Sequence, residues 1–129
     1  MRDETGETAQ LWVRRGTERI CIVNFESRHE LRATNPSGSR LPLPAGSAGR
    51  LLAGTDDALE EIERSGWVES VGSRTPGLGS VSVGVYAADQ LVGAICLAMP
   101  LARTAQSPGR DYGRHVVSAA EQLEGELVS

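Results

Sequence analysis

Two apolar runs near the middle of the chain, Ser80–Tyr86 and Leu91–Met99, constrain the fold more than any other part of the sequence. Side chains alternate across a strand, so each run divides into two faces. In the first, Val81, Val83 and Val85 share one face, while Ser80, Ser82 and Gly84 share the other. In the second, Ile95, Leu97 and Met99 oppose Ala94, Cys96 and Ala98. Joined through Ala87-Ala88-Asp89-Gln90, the runs read as a hairpin with one bulky face and one uniformly small face. A small face leaves room above it. Either a helix packs very close there, or a cavity for a small molecule lies over it.

The remaining segments supply the partners such a hairpin needs. Gln10–Arg14 and Arg19–Phe25 are rich in β-formers and flank the turn-like Arg15-Gly16-Thr17-Glu18, which predicts a second hairpin. In its second strand, strict alternation places Ile20, Ile22 and Asn24 on one face and Cys21, Val23 and Phe25 on the other. Thr34–Gly46 reads as loop, with Pro36, Pro42 and Pro44 inside it. A short helix is predicted from Ser47 to Ala53, ending at Gly54. Thr55 then caps a second helix, Asp56–Ser65, with two acids in its first turn and Gly66 as its stop. From Ser107 to Val128, the residues Val116, Val117, Ala120, Leu123 and Leu127 recur at helical spacing, so the chain ends in an amphipathic helix. This order of elements is that of an α+β domain with an antiparallel sheet.

The chain of 129 residues suffices for one domain with a core. All 13 of its basic residues are arginine. The absence of lysine excludes a Schiff-base lysine, a lysine general base and the lysine of a phosphate-cradling P-loop. A net charge of −4 and a pI near 5.2 argue against a free-standing nucleic-acid binder. Charge is unevenly placed: residues 1–50 hold 8 arginines against 6 acids, and residues 51–129 hold 5 against 11. No stretch has the apolar length of a membrane span, and the polar start is unlike a signal peptide, so a cytoplasmic location without membrane contact is expected. Cys21 and Cys96 lie in apolar strand-like runs and read as small buried hydrophobes rather than a disulfide pair.

One further feature bears on ligands. In Pro44-Ala45-Gly46-Ser47-Ala48-Gly49-Arg50-Leu51-Leu52 a glycine-containing loop opens into the short helix. The first N–H groups of a helix have no internal acceptor, so such a start can hold a carboxylate or phosphate. Many helices begin this way without binding anything.

Several segments in order carry a resemblance. Glu26-Ser27-Arg28-His29-Glu30-Leu31-Arg32 is followed by Gly38-Ser39-Arg40-Leu41-Pro42-Leu43 and Ala48-Gly49-Arg50-Leu51-Leu52-Ala53. Then come Gly66-Trp67-Val68, Arg74-Thr75-Pro76-Gly77-Leu78-Gly79-Ser80-Val81 and Val92-Gly93-Ala94-Ile95 before Pro100. This colinear set resembles the C-terminal effector-binding domain of IclR-type bacterial transcription regulators, over nearly the whole chain. The resemblance implies a GAF-like or profilin-like α+β domain spanning residues 1–129, with a curved sheet that holds a small organic acid. It also implies a homodimer or tetramer, and DNA contact only through a separate winged-helix domain absent from this chain.

By resemblance, Ser47 and Ala48 match the backbone amides that hold the effector carboxylate. Ser80 matches a pocket-facing position on the penultimate strand. Cys96 and Ala98 match two last-strand positions that are commonly serine. Where the family often places an acid, this chain has Ser70, although Glu69 is adjacent and a slip of one residue would restore the acid. The stretch between Ala53 and Gly66 is shorter than usual and lacks a helix and loop that help cover the site.

The implied function is effector sensing and oligomerisation in the service of transcription, with no enzyme activity, cofactor or metal. An enzyme would need Cys21 or Cys96 as nucleophile with His29 or His115 as base, and no motif surrounds either cysteine. The two cysteines and two histidines also lack zinc-finger spacing. The alternative is an interaction-only module that has lost its ligand, with Trp12, Trp67, Leu101 and the last helix available for subunit contacts. The small-residue face decides between them. A helix or side chain filling the space over Ser80, Cys96 and Ala98 would remove the sensor reading for this chain.

Overall fold

The computed structural model describes residues 5–26, 36–72 and 76–127. The Ser27–Arg32 part of the resemblance, with His29, and Arg74-Thr75 lie outside the described residues. The strands are β1 (Thr8–Arg15), β2 (Glu18–Phe25), β3 (Arg40–Pro42), β4 (Val68–Val71), β5 (Leu78–Ala87) and β6 (Gln90–Pro100). The helices are α1 (Gly46–Ala53), α2 (Asp56–Ser65) and α3 (Pro108–Leu127), with a 3-10 turn at Leu101–Arg103. The six strands form one antiparallel sheet in the order β3-β2-β1-β6-β5-β4.

Both hairpins expected from the sequence are present. Gly16 takes a φ of 63° in the β1–β2 turn, while Ala88 and Asp89 take 52° and 63° between β5 and β6. Strand pairing then lays the alternating side chains out in rows. Ser70, Ser80, Ala98 and Thr8 form one row across β4, β5, β6 and β1. Val68, Ser82, Cys96 and Gln10 form the next, and Gly84, Ala94, Trp12 and Cys21 the one after. The α1 and α2 helices cover this side, where Trp12, Cys21, Ala48, Leu51, Leu52, Ala58, Val68, Ala94 and Cys96 make one core. On the opposite side, Ala9, Val81, Val85, Ile95, Leu97 and Met99 pack against Val116 and Ala120 of α3.

Strict alternation fails in one strand. A bulge between Leu11 and Trp12 pairs Leu11 with Val23 but Trp12 with Cys21. Cys21 therefore turns into the α1 side, Val23 goes to the other, and Ile22 stands 46% exposed at the irregularity. The single-face grouping of Cys21 with Val23 is corrected by this extra residue. The predicted Thr34–Gly46 loop contains the short strand β3, an edge position that tolerates Pro42 because its outer side needs no ladder donor.

The helices follow their end signals. The Thr55 side chain accepts from Ala58 N, and Gly66 closes α2 with a φ of 94°. Gly49 permits α1 to fold back on the Pro44 backbone, since a Cβ there would stand 3.0 Å from Pro44 C. On α3, Gly109 and Gly113 make room for the indole of Trp67, and Cβ atoms there would lie 2.2 and 2.6 Å from it. Val117 and Leu127, read as part of the apolar stripe, are half-buried and exposed.

Two charged groups tie the elements together. Arg50 of α1 reaches Asp57 Oδ2 at 2.7 Å and Glu61 Oε2 at 2.6 Å on α2, and donates to the Glu69 carbonyl of β4 at 2.5 Å. Burial pulls the Arg50 guanidinium down, but the two carboxylates outweigh it and leave it raised. At the head of β1, the buried Glu7 accepts a bidentate pair from Arg103, at 2.9 and 2.8 Å.

Candidate functional site

The start of α1 lies over the small-residue face. Its N-cap, Ala45, offers no side-chain acceptor to the first turn. Ser47 points down into the sheet and its Oγ lies 2.6 Å from Ser80 Oγ and 2.8 Å from Ser82 Oγ. Ser47 and Ala48 are each 1% exposed, and Ser82 is fully buried. Below Ala48, Leu51 and Leu52, Cys96 belongs to the packed core.

The face therefore divides. Over Ser82 and Cys96, close packing by a helix is what the structure shows, and the open hollow expected at Cys96 is not there. The outer row differs. Ser80 is only half-buried, and Ser70 and Ala98 stand at the margin of burial beside it. Ser47 thus contacts Ser80 directly, Ser70 and Ala98 flank Ser80 in its row, Ala48 follows Ser47 in α1, and Cys96 sits deeper in the packing.

The register also resolves the Ser70 question. Ser70 pairs with Ser80 and faces α1, whereas Glu69 pairs with Val81 and turns to the α3 side. There its Oε1 accepts from Gly109 N at 3.0 Å, capping α3. The acid next to Ser70 belongs to a helix cap and not to the small-residue face.

One residue escaped the sequence reading. Arg19 is 4% exposed, with its guanidinium 3.9 Å from the Trp12 ring centroid. Its Nη2 would lie 3.3 Å from a Cβ at Gly46. A buried cation thus stands beneath the positive end of α1, and both favour an anion there. The only signal in the sequence was an arginine inside an apolar strand. Trp12 is held in turn, because its Nε1 donates to Gln10 Oε1 at 3.0 Å and Gln10 Nε2 donates to Asn24 Oδ1 at 3.2 Å.

Cys21 and Cys96 form no disulfide, and both are buried. Burial, and then the neighbouring Cys96, pushes the Cys21 thiol up, which disfavours the thiolate. They sit on β2 and β6 with β1 between them, about 10 Å apart by strand spacing, too far for a disulfide. Among the described residues no group of three or more His, Cys, Asp or Glu side chains could hold a metal. No helix among them is long and apolar enough to cross a membrane.

Two clefts lie on the α3 side. One, of about 280 Å³, is lined by Leu11, Val23, Phe25, Ile95 and Leu123 among others. The other, of about 550 Å³, runs between α3 and the outer part of β5. Neither touches Ser47, Ala48, Ser70, Ser80, Cys96 or Ala98.

No protein-family model matches the sequence, and no curated protein matches it. Solved structures do match. An IclR-family transcriptional regulator from a Rhodococcus species superposes with a TM-score of 0.85 at 24% identity, over 96% of this chain and 58% of that one. The C-terminal domain of a transcriptional regulator from Vibrio cholerae gives 0.75 at 24% identity, over 93% and 87%. An isolated domain of another IclR-family regulator gives 0.86 at 23% identity, over 99% and 90%. The chain has the IclR C-terminal-domain fold. It spans little more than half of the Rhodococcus regulator but nearly all of an isolated IclR domain. The six-stranded antiparallel sheet and the C-terminal helix described above match that fold.

Proposed function

We propose that this domain is the ligand-sensing and self-associating part of an IclR-type transcription regulator, with DNA contact left to a separate winged-helix domain. The observation that supports a ligand is the charge at the start of α1. Arg19 lies beneath Gly46, the first turn has no side-chain cap, and Ser47, Ser70 and Ser80 offer hydroxyls beside it. A small organic acid would place its carboxylate toward the N–H groups of Ser47 and Ala48 and its apolar part against Ala98. Cys96 contributes packing beneath the site. To enter, the acid must take the place of the Ser47 hydroxyl at Ser80. Binding would act on transcription through its differential affinity for two arrangements of the subunits.

The contact of Ser47 with Ser80 and Ser82 favours a second reading, in which the face is permanently closed and the domain only associates. A thermal-shift screen of small carboxylates at millimolar concentration on the wild type and on Ser47→Ala separates the two. A sensor is stabilised by at least one acid, and more so when the Ser47 hydroxyl is gone. Stabilisation of neither protein leaves the interaction-only module.

A further inference from the structure

The sheet is unfinished along β5. Its neighbour β4 pairs only from Val71↔Gly79 to Val68↔Ser82 and is the last strand in the order. Among the described residues, β5 from Val83 to Ala87 has no strand beside it on that edge. An open edge offers backbone donors and acceptors to another chain unless it is covered. Here the Tyr86 N–H donates to Glu124 Oε2 of α3 at 2.7 Å, a side chain standing where a strand carbonyl would. Tyr86, Leu91 and Val92 add exposed apolar surface at the tip of the same hairpin, at 44%, 38% and 45%.

The cleft of about 550 Å³ follows this edge, with Trp67 at one end and the flank of α3 as its wall. On that flank Arg114 and Glu121 both line the cleft and both are exposed. They are two helical turns apart, about 10 Å, with Val117 between them. Opposite charges at the two ends of one groove make it complementary to itself under a two-fold rotation.

We propose that a second copy of this chain docks here. The outer halves of the two β5 strands pair antiparallel about Val85, the partner strand's carbonyl replacing Glu124 at the Tyr86 N–H, and each Arg114 meets the partner's Glu121. This rests on the self-association in the proposed function and gives it a location, on the other side of the sheet from the ligand site.

The test is molar mass by light scattering at roughly 100 µM protein, where a micromolar dimer is mostly formed. Wild type should assemble as a dimer or a multiple of one. Arg114→Glu and Glu121→Arg each set like charges opposite one another, and each should halve the mass. An equimolar mixture of the two variants restores both contacts and should recover the wild-type mass. Both side chains are exposed, so the fold is undisturbed, and the carboxylate thermal shift reports the ligand site separately. Unchanged mass in the single variants, or no recovery on mixing, overturns the proposal. A monomeric wild type also overturns it and leaves the edge to an extended segment of another protein.

Discussion

On the α3 side of the sheet, Val81, Val85, Leu97 and Met99 are buried to 1% exposure or less. On the α1 side, the same two strands present Ser82, Cys96 and Ala98. Both sides are closed by helices, but by different means. Bulky side chains hold α3 at a distance, and the glycines Gly109 and Gly113 let it approach only where Trp67 stands. Small side chains bring α1 down until Ser47 can hydrogen-bond with the sheet. The first arrangement is apolar and close-packed. The second places hydroxyls, a helix start and a buried arginine at one spot.

The contrast can be broken by substitution. The largest effect is expected at the charged end of the α3 side. Arg103→Met leaves the Glu7 carboxylate buried without its bidentate partner, and urea denaturation should show a loss of about 3–5 kcal/mol. Leu97→Ala empties the packed face and should cost about 2–5 kcal/mol in the same measurement. Gly109→Ala drives a methyl group into Trp67 and should cost about 1–3 kcal/mol, with a change in tryptophan fluorescence. On the α1 side, Ser47→Ala should cost only about 1 kcal/mol, since the two strand serines can hydrogen-bond with each other or with water. A loss at Ser47 as large as that at Leu97 would erase the distinction.

The smallest effect concerns pH. The Cys21 thiol is raised by burial and Tyr112 by burial and then Glu7, so both favour the protonated form in the folded state. Their stabilisation is fully present below the unfolded thiol and phenol values and is lost as pH rises through the higher folded ones. Stability should therefore fall from about pH 9 upward. Cys21→Ala should flatten the earlier part of that fall in denaturation curves taken across the alkaline range.

Much of this was legible in local patterns. Thr55, the paired acids and Gly66 bounded α2 correctly, because caps act within one turn of the chain. The division of β5 and β6 into bulky and small faces also held, because alternation needs no knowledge of neighbours. What the sequence hid was relational. The β1–β2 bulge depends on a cross-strand pairing, and it reversed the grouping of Cys21 with Val23. Whether the small face was open depended on how closely α1 descended, and Ser47 reaching two strand serines has no local signature. Arg19 opens a β-rich run, and nothing local showed that its guanidinium would lie over the Trp12 ring. Glu69 and Ser70 could be told apart only by register.

Glu69 has a consequence for how the two sides communicate. Its carbonyl takes a hydrogen bond from Arg50 of α1, its N–H donates to Glu61 of α2 at 3.1 Å, and its carboxylate caps α3. One residue on the edge strand is thus a junction for three helices on opposite sides of the sheet. A shift of α1 would act on Glu69, which also holds the first turn of α3. Such wiring predicts non-additivity: Arg50→Ala and Glu69→Gln should destabilise less together than the sum of their separate effects. Strict additivity would mean that the sheet insulates one side from the other.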